Sequence, residues 1–307
     1  SSSFDSNTAS NRAGGAYFFA AATLTDTNFI SNTATARAGG AYIGGVALVS
    51  GGLYQGNQCT ASCLGGGLFV SDTLTMTGVQ FVGNSTDASG GGLVTQSNAE
   101  IARTIFTGNS AGAGGGGWIQ AGGTNTRIAN SLFAGNSTGN GGGDAIAVAL
   151  ADNNGTVSVL HTTIASPTMG TGAAIYVGAG TMEITNTIVA SHTAGILNSA
   201  GVVISDYNLF FAAPTTVVTG SHSIDGRDPR FADPVNGDYH LTAGSAAIDT
   251  GVDVGITTDL DGAPRPQGDG FDIGAFESPL SSNADLASLV LSQGILAPPF
   301  ASATTHY

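Results

Sequence analysis

The chain has 307 residues, 48 of them glycine and none lysine, with only 9% charged residues and a net charge of −14. Phosphate recognition needs clustered Lys and Arg, so this composition argues against a nucleic-acid partner. No apolar run reaches the ~18 residues of a membrane span, which argues against direct membrane insertion.

The opening SSSFDSN already belongs to a repeat and is not a signal peptide, so the chain is expected to begin inside a longer precursor. FDSNTASNRAGG from Phe4 is followed by FISNTATARAGG from Phe29, YQGN from Tyr54, FVGNSTDASGGG from Phe81, FTGNSAGAGGGG from Phe106 and FAGNSTGNGGGD from Phe133. The asparagines Asn7, Asn32, Asn57, Asn84, Asn109 and Asn136 are separated by 25, 25, 27, 25 and 27 residues. A fixed period of this length signals a solenoid.

Within each period an apolar position precedes the aromatic by five residues: Leu24, Val49, Met76, Ile101 and Ile128, continued through Leu160, Ile184 and Ile204. Two residues later, turn formers recur at Asp26, Gly51, Gly78, Asn130, Asn186 and Asp206, with Arg103 as the exception. A second β-prone segment carries the aromatic. A third (AYFF, AYIG, LFVS, LVTQ, WIQA, AIYV) follows the glycines and places Trp118 at a core-like position. Three short strands per rung of about 25 residues, without helical periodicity, predict an all-β fold, a parallel β-helix of nine or ten rungs. The usual crossover rule makes it right-handed.

In such a fold equivalent side chains stack about 4.8 Å apart. The aromatics then form an interior stack. The asparagines occupy a corner in the left-handed conformation and bond the amides above and below as a structural ladder. The glycines supply positive φ and close approach between rungs. Cys59 and Cys63 sit four residues apart with no second pair, whereas zinc needs about four ligands. A small disulfide is therefore favoured over a metal site or free thiols, and it implies an oxidising compartment.

GGAY at Gly14 and Gly39, GGLF at Gly66 and GGLV at Gly91, each after Phe-x-x-Asn or its Tyr variant, resemble the FxxN and GGA(I/L/V) repeats of the polymorphic outer-membrane-protein family. The likeness covers roughly residues 1–143 and implies a surface-exposed β-helix passenger associated with adhesion. DPRFADPVNGDYHLTAGSAAIDTG and TTDLDGAPRPQGDGFDIGAFE, within 228–277, resemble the C-terminal region of secreted β-helix proteins of the choice-of-anchor type. That resemblance implies final rungs and an acidic cap over 212–277 closing the solenoid of 1–211. A linker over 278–284 then leads to 285–307, which resembles the start of a cadherin-like β-sandwich or serves as a strand-donating tail.

Candidates for chemistry are few. Glu100 and Arg127 register as an outer ion pair. His161 follows Leu160 and is expected to point into solvent, with Thr185 on the next rung and Glu183 diagonal to it. Asp152-Asn153-Asn154-Gly155 reads as a turn. The acidic cluster Asp249, Asp253, Asp259, Asp261, Asp269, Asp272 and Glu277 reads as Asx turns with Arg265 compensating charge. Asp259, Asp261 and Asp272 remain calcium candidates, because Asp259-Leu260-Asp261-Gly262 has the carboxylate spacing of a calcium loop without the rest of an EF-hand. Sequons at Asn84 and Asn136 use ladder asparagines and are poor glycosylation sites; Asn154 heads a third.

The expectation is a non-enzymatic extracellular or cell-surface structural protein: a stalk, adhesin or filament subunit, without cofactor apart from structural calcium. The alternative is a secreted protein that binds or degrades polysaccharide. Expected partners are surface glycans, a neighbouring or host cell surface, and other copies joined head to tail through the chain ends.

Overall fold

The computed structural model describes residues 1–120, 125–149, 155–214 and 217–280. Asp152, Asn153 and Asn154, most of the 278–284 linker and the module expected over 285–307 lie outside the described residues.

The structure is a parallel β-solenoid of about eight turns. One sheet, here called the aromatic sheet, stacks ten strands from Ser2–Asp5 and Thr27–Ile30 through Ile105–Thr107 and Leu132–Ala134 to Leu209–Phe211 and Ile224–Asp225. Two further sheets stack eight strands each. The glycine-side sheet runs from Ala16–Phe18 to Ala194–Asn198, and the third sheet from Ala22–Thr25 to Val202–Asp206. A fourth set of strands, starting with Thr8–Ala9 and Thr33–Ala34 and ending with Ser137–Gly142, lines the asparagine corner of the first six turns. The expected three strands per rung are thus joined, in that half, by a short corner strand.

Two ladders run up the axis of those turns. Phe4, Phe29, Tyr54, Phe81, Phe106 and Phe133 stack face to face with ring centroids 4.5–4.9 Å apart. All but Phe4 are fully buried in the main core. Burying a ring of 150–250 Å² contributes on the order of 4 kcal/mol, so this stack dominates the energetics of its rungs. Beside it, the Nδ2 of Asn32, Asn57, Asn84 and Asn109 donates both to the Oδ1 of the next asparagine and to the carbonyl of the aromatic residue on the preceding rung: Asn57 reaches Asn84 at 2.8 Å and Phe29 at 2.8 Å. Each Oδ1 also accepts the backbone N–H of the asparagine before it, as Asn109 does from Asn84 at 3.0 Å. Two donors and two lone pairs are satisfied per amide, which permits complete burial of Asn32, Asn57, Asn84 and Asn109.

The left-handed residues are neighbours of those the repeat suggests. Ser31, Gly56, Gly83, Gly108 and Gly135 have φ of 55–64°, each one residue before the ladder asparagine. They turn the chain so that the asparagine side chain enters the interior. Likewise Ala13, Ala38, Gly65, Gly90 and Gly114 take positive φ, while the glycine pairs that follow do not. Those pairs are required for space. A Cβ on Gly39 would lie 2.4 Å from the Gly66 carbonyl oxygen, and one on Gly116 would lie 2.7 Å from the Phe133 ring. The glycine run and the aromatic stack are therefore one packing unit.

The register corrects the apolar column twice. Ile128 pairs with Val159, and Ile184 with Ser205, so the inward positions are Val159 and Ser205 in place of Leu160 and Ile204. Because strand side chains alternate, a slip of one residue reverses every facing. Ile204 is accordingly 55% exposed and Val159 wholly buried. His161 and Tyr207 thereby enter the left-handed corner column with Asp26, Arg103, Asn130 and Asn186. Trp118 also moves. It pairs with Val94 and Ala147 on the outward face and packs against the satellite cluster of Ala13, Ala38, Tyr42, Phe69 and Val94, outside the main core.

Residues 226–280, expected to close the end of the solenoid, lie along its flank as a lateral strap. The strap has little regular structure: a single 3-10 turn at Pro234–Asn236 and an antiparallel pair, Phe231–Asp233 with Asp238–Leu241. Its Tyr239, Ala247, Leu260, Ile273, Ala275 and Phe276 bury the outward side chains of the aromatic sheet, Leu132, Ala134, Ala165, Ile188, Ala190 and Leu209. The outward positions change character along the chain to match. They read Ser3, Asn28, Leu53 and Gln80 where no strap lies, then Ile105, Leu132, Thr163, Ile188 and Leu209 where it does.

Candidate functional site

Polar chemistry gathers at the junction between solenoid and strap. The corner column supplies one side, where Arg103, Asn130 and Asn186 reach across. Arg103 Nε donates to the Leu260 carbonyl at 3.2 Å, and Asn130 Nδ2 donates to the carbonyl of Thr258. Arg103, the exception among the turn formers, is thus a docking residue. Asn186 Oδ1 accepts the Val252 N–H at 3.0 Å, while its Nδ2 donates to the Val252 carbonyl at 2.6 Å.

That pairing determines the state of His161. With its amide oriented by Val252, Asn186 turns an N–H toward His161 Nε2, 2.9 Å away, so Nε2 accepts and the imidazole is neutral. His161 is completely buried under the strap, with Phe271 beside it, and does not reach solvent or Glu183, which pairs with Ser158. Burial first, then the Arg265 guanidinium, holds its pKa down to about 3.

Behind His161, Arg265 and Glu277 form a buried ion pair. Arg265 also donates to the Asp272 and Gly274 carbonyls, the latter at 2.8 Å. Burial pushes the Glu277 carboxyl up, against the pull of Gln267 N–H and Arg265. Asp272, fully buried, accepts the N–H groups of Asp249 and Ser278 at 2.8 and 2.6 Å; burial raises its pKa to about 7.

The three calcium candidates do not converge. Asp259 is buried and accepts the N–H groups of Ala263 and Glu277 at 2.8 and 2.9 Å. Asp261 faces outward, 2.8 Å from His240 Nε2, whose other ring nitrogen is 2.6 Å from Asp238. Among the described residues no group of three or more His, Cys, Asp or Glu side chains is arranged to hold a metal ion. The cluster's carboxylates act as turn acceptors: Asp249 takes Asp269 and Gly270 N–H, and Asp253 takes Gly255 N–H.

A second buried pair has no counterpart in the sequence reading. Asp144 replaces the first glycine of the pair and accepts Thr138 N–H, Thr138 Oγ1 and Gly172 N–H at 2.8–3.0 Å. It thereby closes the last corner strand. His192 Nδ1 lies 3.4 Å away, both residues being almost wholly buried. Burial pushes the Asp144 carboxyl up; the His192 contact and the Thr138 and Gly172 bonds outweigh it and hold the group below the usual range. The extra Asp ending GGGD in the last copy of the motif was the available signal.

The remaining candidates are architectural. Cys59 and Cys63 are disulfide-bonded, with Cα atoms 5.7 Å apart. Glu100 and Arg127 pair at 2.5 Å on the outer face, each roughly 40% exposed. Asn84 and Asn136 are buried in the ladder, closed to glycosylation in the folded chain. Asn7 begins the ladder, donating to Asn32 at 2.9 Å. No helix of the described residues is long and apolar enough to cross a membrane. Comparison with protein-family models, curated proteins and solved structures finds no match, so the chain stands as a parallel β-solenoid of repeats.

Proposed function

We propose that the chain is a non-enzymatic extracellular or cell-surface structural protein, a stalk, adhesin or filament subunit. What carries this reading is the occupation of its polar side chains: the asparagines of the first six turns satisfy one another, and the strap carboxylates satisfy backbone N–H groups. A solenoid of that kind supplies fixed length and a flat lateral surface. The Cys59–Cys63 bond supports an oxidising location, and the FxxN and GGA repeats support kinship with surface-exposed passengers. Head-to-tail contact by strand addition at the sheet edges is the route to a filament.

Electron microscopy of native material tests the reading: rods or filaments are expected. Pectin, alginate and glycosaminoglycan are expected to survive incubation with the protein. Cleavage abolished by one carboxylate substitution would overturn it. The polysaccharide-binding alternative has one favourable observation, the outward stack of Tyr17, Tyr42 and Phe69 at 4.8 and 5.1 Å.

A further inference from the structure

Six of the seven arginines divide by what they face. Arg103 binds a strap carbonyl, Arg127 and Arg265 pair with Glu100 and Glu277, and Arg230 donates to the Ala243 carbonyl with Asp228 bound to its own N–H. Arg12 and Arg37 differ. They are bridge partners on adjacent rungs, which places two like charges about one strand spacing, ~4.8 Å, apart on the outside of the solenoid. Among the described residues no carboxylate lies within 4 Å of either, in a chain whose net charge is −14.

Both guanidinium groups lie against the outward aromatic stack. Arg12 Nη1 donates to the Tyr17 hydroxyl at 3.0 Å, and Arg37 stands 5.9 Å from the Tyr42 ring and 5.5 Å from Phe69. Aromatic contact holds each fork in place without neutralising its charge. Phe19, in the bend that follows the Ala16–Phe18 strand two residues after Tyr17, is 84% exposed.

We infer that Arg12, Arg37, Tyr17 and Phe19 form a binding surface for a sulfated polysaccharide, with two guanidinium forks taking sulfate esters and the aromatic faces taking sugar rings. The inference rests on the adhesin reading for its setting and adds the ligand class. A polymer is favoured over a lone anion because two charges stand one rung apart and adjoin the exposed rings Tyr17 and Phe19. Sulfate is favoured over carboxylate because a guanidinium stacked on a ring is weakly hydrated and suits a weakly hydrated anion. Three unrelated features therefore coincide: unneutralised cations, their preorganisation, and an exposed ring.

The test measures binding of the full chain to dextran sulfate, dextran and polygalacturonate at low and raised salt. Dextran sulfate is expected to bind, more weakly as salt rises, and dextran is not. The double variant Arg12→Gln/Arg37→Gln is expected to lose at least tenfold in affinity. Phe19→Ala, whose ring is too exposed to support the fold, is expected to lose several-fold, whereas Arg227→Gln/Arg230→Gln is expected to bind like the parent. Absence of dextran sulfate binding, tighter binding of polygalacturonate, or parental affinity in both the arginine pair and Phe19 variants would overturn the inference. Rod morphology is indifferent to all of these, so the structural reading stands or fails separately.

Discussion

The first six turns and the turns after residue 155 share one backbone path but are stabilised differently. The early turns are held along the axis. Phe29, Tyr54, Phe81, Phe106 and Phe133 stack inside, the asparagine amides link rung to rung, and the outward column of the aromatic sheet stays mostly polar up to Gln80 before turning apolar at Ile105. In the later turns the stack passes to Ile164 and Val189, and the register sets Pro167 and His192 where the ladder would continue. Corner strands stop at Ser137–Gly142. The outward face, apolar from Ile105 onward, is clad by the strap through these turns. A rung can be secured by what repeats above and below it or by what covers its side, and this chain changes from the first to the second where the repeat motif fades.

The sharpest way to break the contrast is to unpair the strap's buried ions. Arg265→Ala leaves Glu277 charged and buried, and such changes cost about 3–5 kcal/mol. The loss is expected to appear as proteolysis and hydrogen exchange within 226–280 and the later turns, with the early turns protected. Uniform loss along the solenoid would erase the distinction.

Acid should act on the same side of the molecule. His161 is neutral and buried in the native state, so between its unfolded pKa near 6.5 and its folded value of about 3 the unfolded chain binds more protons. Stability of the strap junction therefore falls as pH drops through that window, by on the order of 4 kcal/mol at its lower end. Asp272, raised to about 7, works in the opposite sense and favours the folded strap as pH falls below 7 toward the ordinary carboxylate range. Denaturation midpoints of His161→Asn and Asp272→Asn across pH 3–8 separate the two slopes. Asparagine suits the corner, as Asn130 and Asn186 show, so the first variant is expected to be the less acid-sensitive.

Asn109→Leu tests the early half. It removes the acceptor for Asn84 N–H and Nδ2 and the donor to Asn136 and to the Phe81 carbonyl. A loss of about 2–3 kcal/mol is expected from the unsatisfied buried groups. An unchanged denaturation midpoint would mean that the ladder is passive. The smallest effect belongs to Arg127→Ala, since its pair with Glu100 is part-exposed; a change of at most about 1 kcal/mol is expected in either thermal or chemical melts.

The repeat period, the parallel β-solenoid, the interior aromatic column and the asparagine ladder were legible in the sequence by itself, because every rung repeats the same local demand. Phe-x-x-Asn-glycine marks one corner however the rest of the chain packs, and the Cys59–Cys63 pairing is equally local. Register at Val159 and Ser205 was not legible: VSVLHTTI and VVIS offer apolar residues on both faces, and only the pairing with neighbouring strands decides which side is inside. The burial of His161, the reach of Arg103 and the flank position of the strap depended on tertiary structure for a related reason. Arg103 meets Leu260 from 157 residues away and His161 meets Phe271 across a comparable span, in a segment whose turns carry no repeat, so no local pattern records which outward face that segment must cover.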